Sequence, residues 1–245
     1  MRTLFLATLI GLAAFPAHAV DDYDACIAMI ATDPGRAERE AGEWARYGGG
    51  GAAARHCYAL ALIETGAPIR AADELIGAAV ESADMPNQAR ADILVQAGEL
   101  LLEGDYLTTA EVVAGQALQL AKDDPGALGL RAAVLLAGGS PRTALRELNK
   151  ALAQDGKDVR LLLRRAATHR QLGNDIPARD DANFATELAP DRAEAWLERG
   201  RIETKLGDKT RARGSLLRAM ELDRDGKIGR AAQLALQRME AGIKE

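Results

Sequence analysis

Small residues return at a fixed spacing between residues 91 and 226, and this pattern predicts most of the fold. Four repeats of 34 residues follow one another without a gap, at 91–124, 125–158, 159–192 and 193–226. Counted from the start of each repeat, positions 8, 20 and 27 hold only glycine or alanine. Because helix axes approach closely only where the side chains at the crossing are small, the pattern predicts tightly packed helices.

Each repeat is interrupted near its middle by residues that end one helix and begin another. The interruptions are Gly104-Asp105, Gly139-Ser140-Pro141, Gly173-Asn174 and Gly207-Asp208. Glycine is common just after a helix, and aspartate, asparagine or serine caps the helix that follows. A helix pair of this kind cannot bury its apolar face alone, so successive pairs must stack. The sequence therefore predicts an all-α, right-handed solenoid of stacked helix-turn-helix repeats with terminal capping helices.

The segments on either side of the four repeats continue the helical pattern. Residues 52–90 form a fifth, degenerate repeat, whose extra residues at 86–90 predict a loop. Residues 20–51 are predicted to form N-terminal capping helices. Residues 227–245 are predicted to form a C-terminal capping helix, because apolar residues recur on one face only.

The repeats resemble those of the tetratricopeptide repeat family. The last repeat carries the resemblance best, with Trp196, Gly200, Ala212 and Ala219 at the family's positions. Two features depart from the family: its proline near position 32 occurs only as Pro190, and arginine replaces the usual leucine at position 7 of three repeats. The resemblance implies a concave groove that is lined by the first helix of each repeat and binds a protein or peptide.

The resemblance also implies which residues line the groove, at positions 2, 5, 9, 12 and 13 of each repeat. The principal ones are Val95, Glu99, Leu102, Leu136, Arg160, Leu163, Arg170, Leu197, Arg201 and Lys205. Such a groove is acidic at its early end, small and apolar in its middle, and basic at its late end. We expect an extended or helical partner segment with the opposite order of charge. The alternative is that these charges only solvate a surface.

Arginine stands at position 7 of three successive repeats, as Arg131, Arg165 and Arg199. Position 23 holds Glu147 and Asp181 in the first two of these repeats. We therefore expect Arg131 to pair with Glu147, Arg165 to pair with Asp181, and Arg199 to reach Asp181. The alternative is a ladder of arginines that binds anions.

Charge and the first residues bear on partners and location. The 245-residue chain has a formal net charge of −5, which does not favour nucleic acid as a partner. Arg2, the apolar run 4–15 and the Ala17-His18-Ala19 motif predict that residues 1–19 are a secretory signal peptide. The alternative is an uncleaved anchor, but the apolar run is too short to span a membrane. We expect a periplasmic or secreted protein with no integral membrane segment after cleavage.

The chain has two cysteines, Cys26 and Cys57. An oxidising compartment favours a disulfide between them, which would fasten the N-terminal cap to the degenerate repeat. The alternative is a pair of buried free thiols.

No set of residues predicts catalysis, a cofactor or a metal site. The glycines at 48–51 are not followed by the Lys-Ser or Lys-Thr of a phosphate loop. Residues 221–232 imitate a calcium loop, but Ala232 stands where the bidentate glutamate is required. His56 and His169 lie in different repeats, so a zinc site lacks ligands.

The predicted function is a non-catalytic scaffold that binds a protein or peptide partner. One alternative is a regulatory or accessory subunit of an envelope enzyme or assembly complex, or a structural subunit of such an assembly. Another is an enzyme whose site joins residues distant in sequence.

Overall fold

The computed structural model describes residues 22–243, and these contain thirteen α-helices and no β-strand. The helices are α1 (Tyr23–Thr32), α2 (Pro34–Tyr47), α3 (Gly51–Glu64), α4 (Pro68–Glu81), α5 (Asn87–Glu103), α6 (Leu107–Leu120), α7 (Pro125–Ala137), α8 (Pro141–Gln154), α9 (Val159–Leu172), α10 (Asp175–Leu188), α11 (Ala193–Lys205), α12 (Lys209–Leu222) and α13 (Lys227–Glu240). The prediction of an all-α helical-repeat fold is confirmed. The predicted signal peptide, residues 1–19, lies outside the described residues.

The chain divides after Glu81 into two compact units. The N-terminal unit contains α1 to α4, and the C-terminal unit contains α5 to α13. The C-terminal unit holds the four gapless repeats, each as one helix pair, followed by α13.

In the N-terminal unit, α1 packs against α2 and α3, and α3 packs against α2 and α4. A disulfide joins Cys26 on α1 to Cys57 on α3, with the two Cα atoms 6.3 Å apart and both residues fully buried. Beside it, the Tyr23 hydroxyl is hydrogen-bonded to Nδ1 of His56 at 2.8 Å. Burial raises the pKa of Tyr23, and the nearby charge of Asp24 adds to that rise. The bridge thus holds the short first helix onto the centre of this unit.

The C-terminal unit is a stack of helix pairs. Each of its helices packs against the next one along the chain. In addition, the first helix of each repeat contacts the first helix of the following repeat, in the series α5, α7, α9, α11 and α13. These five helices therefore form one continuous wall, and the wall carries the residues that sequence analysis assigned to the groove.

The recurring small residues lie where the helices cross. The alanines at positions 20 and 27 are all fully buried; they are Ala110, Ala144, Ala178, Ala212, Ala117, Ala151, Ala185 and Ala219. At position 8 of the last repeat, a β-carbon on Gly200 would lie 2.7 Å from the side chain of Leu216, which is itself fully buried. Small residues are required at these positions because the neighbouring helix occupies the space.

The turn inside each repeat uses the left-handed backbone conformation at position 15. Gly139, Gly173 and Gly207 adopt φ values of 73°, 78° and 79° there. In the first of the four repeats the same position is Asp105, with φ 62°. Aspartate tolerates this conformation better than most residues, but glycine adopts it without steric cost.

Of the five extra residues at 86–90, the last four are helical, which differs from the predicted loop. Helix α5 begins at Asn87, and Pro86 stands at its N-cap. A proline at a helix start removes no helical hydrogen bond, so the chain adds a turn to α5 without breaking it.

A matched pair of glycine substitutions tests the packing at position 8. We expect Gly200→Ala to lower the free energy of unfolding by about 1–3 kcal/mol, because the added methyl group meets the Leu216 side chain. Gly214 lies in the middle of α12, and a β-carbon there has no neighbour within 4 Å. Gly214→Ala should therefore raise stability by up to about 1 kcal/mol through helix propensity alone. Urea denaturation of both variants measures the contrast, and equal effects would contradict it.

Candidate partner-binding groove

The residues assigned to the groove lie on the first helices of the four repeats. Val95, Glu99 and Leu102 are on α5, Leu136 is on α7, Arg160, Leu163 and Arg170 are on α9, and Leu197, Arg201 and Lys205 are on α11. Val95 and Leu197 are only 8% and 5% exposed, so they offer little surface to a partner. Leu136 and Leu163 are half-buried and pack against a core cluster with buried residues from α7 to α11.

The early part of the groove is a cavity of about 300 Å³ with acidic and small residues in its walls. Its lining residues are Glu99, Leu102, Glu103, Ala133, Ala137 and Arg164. Arg164 donates a hydrogen bond to the backbone carbonyl of Gly129 at 2.9 Å and approaches Glu99 at 3.5 Å. Arg160 lies 3.9 Å from the second oxygen of Glu99. Two arginines of α9 thus partly neutralise the acidic end.

The late part of the groove is a larger cavity of about 680 Å³ between α9, α11 and the ends of the last two helices. It is lined by Arg170, Gln171, Arg201, Thr204, Lys205, Gly207, Lys209, Met239, Gly242 and Ile243. Four of these side chains are basic and none is acidic. Met239 and Ile243 add an apolar wall from α13 and the residues that follow it.

Acidic residues behind the basic cavity form ion pairs with some of its basic side chains. Arg170 donates to both carboxylate oxygens of Glu198, at 2.7 and 3.4 Å, and Glu198 is only 7% exposed. Lys205 lies 3.0 Å from a carboxylate oxygen of Asp175, and Arg201 lies 3.9 Å from Glu198. Within residues 22–243, Lys209 forms no ion pair. Arg170 therefore contributes mainly to folding, whereas Arg201 and Lys209 leave positive charge for a bound group.

Several residues of these two cavities were not predicted from the sequence. Arg164 stands at repeat position 6, outside the positions that the resemblance assigns to the groove. Lys209 begins a second helix, and Met239 and Ile243 belong to the C-terminal cap. The sequence signal for the last two was the apolar face of α13, which was interpreted only as a cap.

The position-7 arginines pair within the C-terminal unit. Arg165 makes two hydrogen bonds to Asp181, at 2.8 and 2.7 Å, and this pairing raises the pKa of the guanidinium. Arg131 approaches Glu147 at 3.5 Å. The expectation that Arg199 reaches Asp181 is wrong.

Arg199 instead donates to Glu203 at 2.9 Å, one helical turn further along α11. A partner one turn away on the same helix needs no long-range reach, which explains why Glu203 replaces Asp181. Glu203 in turn accepts a hydrogen bond from the Ser215 hydroxyl at 2.6 Å. These contacts favour the structural interpretation of the arginines over the anion-binding ladder.

The residues screened for metal or catalytic chemistry have other roles. In the part of the chain that the structure describes, no group of three histidine, cysteine, aspartate or glutamate residues could hold a metal ion. Asp223, in the segment that imitates a calcium loop, accepts hydrogen bonds from the backbone of Ile228 and Gly229 at 2.8 and 3.1 Å. It therefore caps α13. Burial lowers the pKa of His169, Asp181 opposes that change, and the charge of Arg165 adds to it.

No protein-family model matches the chain. Among curated proteins, the protein SGT1 homolog of Homo sapiens is 34% identical over 97 residues, which are 40% of this chain and 27% of that protein. None of the helices in residues 22–243 is both long and apolar enough to cross a membrane.

Solved structures resemble the chain over a greater length. Cut9 in the APC/C hetero-tetramer Cut9–Hcn1 superposes with a TM-score of 0.70 and 14% identity, over 89% of this chain and 43% of that chain. TTC0263, a thermophilic TPR protein of Thermus thermophilus, gives a TM-score of 0.64 and 16% identity, over 75% and 97% of the two chains. The chain thus spans less than half the length of Cut9 and of the SGT1 homolog. Identities this low establish the fold alone, which is that of tetratricopeptide repeat proteins.

Proposed function

We propose that this protein is a non-catalytic scaffold of the periplasm or extracellular space, which holds a segment of a partner protein along the wall formed by α5, α7, α9 and α11. The observation that carries the proposal is the pair of cavities on this wall. Among residues 22–243, one is lined by Glu99 and Glu103 together with Arg164, and the other by four basic side chains and no acidic one. A segment with basic residues towards α5 and acidic residues towards α11 complements both.

The choice of a protein as the partner is supported by the fold and by the shape of the site. Cut9, which shares the fold, is part of a hetero-tetramer with Hcn1. The cavities follow one another along the wall of first helices, which suits an extended or helical peptide. Location outside the cytoplasm is supported by the predicted signal peptide at residues 1–19 and by the Cys26–Cys57 disulfide. A regulatory or accessory subunit of an envelope enzyme would use the same groove.

Selection from a phage-displayed library of random peptides on the immobilised full chain tests the proposal. We expect enrichment of peptides with a basic half, an apolar centre and an acidic half. The dissociation constant of one enriched peptide is then measured by fluorescence anisotropy for the Arg201→Gln/Lys209→Gln variant. Because two charges of the basic cavity are lost, we expect binding to weaken about tenfold, and more at low salt than at high salt. Arg170 is left unchanged because it pairs with the buried Glu198.

The matched control removes two positive charges elsewhere. Arg142 and Arg146 are exposed on α8 and line neither groove cavity. Arg142→Gln/Arg146→Gln lowers the net charge equally, so it should leave the dissociation constant within about twofold. Equal weakening by both variants would reject the basic cavity as the site. Failure to enrich any peptide would count against the scaffold function itself.

A further inference from the structure

A pocket of about 340 Å³ opens in the C-terminal unit between α6, α7 and α8. It shares no lining residue with the two groove cavities. Gly115, Leu118 and Leu128 give it a largely apolar floor. A pocket of this volume is in the range that takes a small ligand or a large side chain.

A buried carboxylate with one unused oxygen lines this pocket. Glu147 is 4% exposed. Its Oε1 accepts a hydrogen bond from Lys150 at 3.2 Å and lies 3.5 Å from Arg131, whereas its Oε2 is buried and has no hydrogen-bond partner in the described residues. The side chains of Arg131 and Lys150 are 48% and 63% exposed, so they can move aside. Buried polar atoms are nearly always hydrogen-bonded, and Oε2 is an acceptor to which residues 22–243 supply no donor.

We call the place where the second helix of one repeat meets both helices of the next repeat a join. The join one repeat later, between α8, α9 and α10, is closed by side chains of the protein itself. There Asn149 stands in place of Gly115, and Arg165 stands in place of Arg131. Arg165 donates to the Asn149 side-chain oxygen at 3.1 Å and to both oxygens of Asp181. Asp181, the counterpart of Glu147, thus has both of its oxygens bonded. The open pocket exists because Gly115 has no side chain and Arg131 lacks the partner that would hold it inward.

At the join two repeats later, between α10, α11 and α12, the chain carries an aromatic side chain. Trp196 stands there in place of Leu128. Its ring lies under the guanidinium of Arg199, 5.3 Å from the centroid, and its indole N–H donates to the Pro190 carbonyl at 2.9 Å. Arg199 is the counterpart of Arg131. At this join the protein itself places an aromatic ring, Trp196, beneath the position-7 arginine. The N–H at the edge of that ring has a hydrogen-bond acceptor in the Pro190 carbonyl.

We propose that the pocket between α6, α7 and α8 binds an aromatic side chain with a ring-edge hydrogen-bond donor, a tyrosine or tryptophan of a partner protein. The ring lies against Leu118 and Leu128 with Arg131 over its face, as Arg199 lies over Trp196. The hydroxyl or indole N–H donates to the Glu147 carboxylate. Aromatic anchors of this kind carry much of the affinity of protein interfaces. This site is independent of the groove and stands if the groove binds nothing.

Capped amino acids test the proposal on the full chain. N-acetyl-tyrosinamide, N-acetyl-tryptophanamide and N-acetyl-phenylalaninamide are titrated while the amide resonance of Leu118, which lines the pocket and is unchanged in every variant, is followed by NMR. We expect saturable shifts with the first two and binding at least about fivefold weaker with the third, because phenylalanine has no donor for Glu147. The free amino acids should bind no better than the capped forms. Tighter binding of free tyrosine or tryptophan would mean that the ligand is a small molecule and not a side chain of a partner protein.

Two substitutions complete the test. Glu147→Met keeps the length of the side chain but removes the hydrogen-bond acceptor. This variant should therefore bind N-acetyl-tyrosinamide only as weakly as it binds N-acetyl-phenylalaninamide. Gly115→Asn copies the residue of the next join and should abolish binding; a β-carbon at residue 115 meets nothing within 4 Å, so the fold is preserved. Gly214→Asn, at an equally open position of α12, is the control and should bind as the parent does. Equal affinity for all three probes, or undiminished binding by Gly115→Asn, overturns the proposal.

Discussion

Loss of the Cys26–Cys57 disulfide is expected to lower the free energy of unfolding of the N-terminal unit by about 3–4 kcal/mol, from the loop that it closes. The two cysteines are 31 residues apart in sequence, and both are fully buried between α1 and α3. Helix α1 has ten residues and is too short to be stable by itself. The expected result is that α1 detaches first and the remainder of the unit unfolds at lower urea concentration.

Urea denaturation with and without a thiol reductant measures this effect, and hydrogen exchange of residues 23–32 locates it. The Cys26→Ala/Cys57→Ala variant is the control, because the reductant should no longer change its midpoint. If reduction left the midpoint of the parent unchanged, the bridge would make no contribution to stability. Rapid exchange throughout 23–32 before reduction would show that α1 is not docked.

The second large effect is expected at the ion pair between Arg165 and Asp181. Arg165→Ala leaves the carboxylate of Asp181, which is 8% exposed, without its two hydrogen bonds. Because the arginine side chain is 24% exposed and water can enter, we expect a loss of about 2–4 kcal/mol, somewhat below the range for fully buried pairs. Arg131→Ala should cost less than about 1 kcal/mol, because that side chain is 48% exposed and only approaches Glu147.

Chemical denaturation of both variants compares the two arginines directly. A further variant, Arg165→Met/Asp181→Leu, should recover most of the lost stability, since apolar replacements leave no unpaired charge. Equal losses of unfolding free energy in Arg131→Ala and Arg165→Ala would mean that the two hydrogen bonds from Arg165 to Asp181 add nothing to stability.

The helical pairs were predictable because their signal is local and repeated. Glycine or alanine at positions 8, 20 and 27 marks the helix crossings, and the glycine before each second helix marks the turn. The pairing of Arg165 with Asp181 was also predictable, because both residues belong to one repeat. The pairing of Arg199 was predicted wrongly, since Glu203 lies one turn away on the same helix and competes over a shorter distance.

Other features depend on contacts that no single repeat encodes. The basic cavity joins α9 and α11 to Lys209, Met239 and Ile243, which lie on elements with no assigned groove role. The start of α5 at Asn87 follows from the ability of Pro86 to precede a helix, which a count of 34 residues does not reveal. The α6–α8 pocket becomes visible only when the three joins are compared in space.

The three joins also suggest how such a protein diversifies. They are built at the same repeat positions, yet one holds a tryptophan, one holds an arginine–asparagine–aspartate network, and one is vacant at Gly115. The buried alanines at positions 20 and 27 are the same in every repeat, whereas the residues that close the three joins differ, so one stacking pattern accepts three different sets of contacts. Duplication of a helix pair therefore adds one more join. That join can evolve a binding specificity of its own while the other copies maintain the architecture.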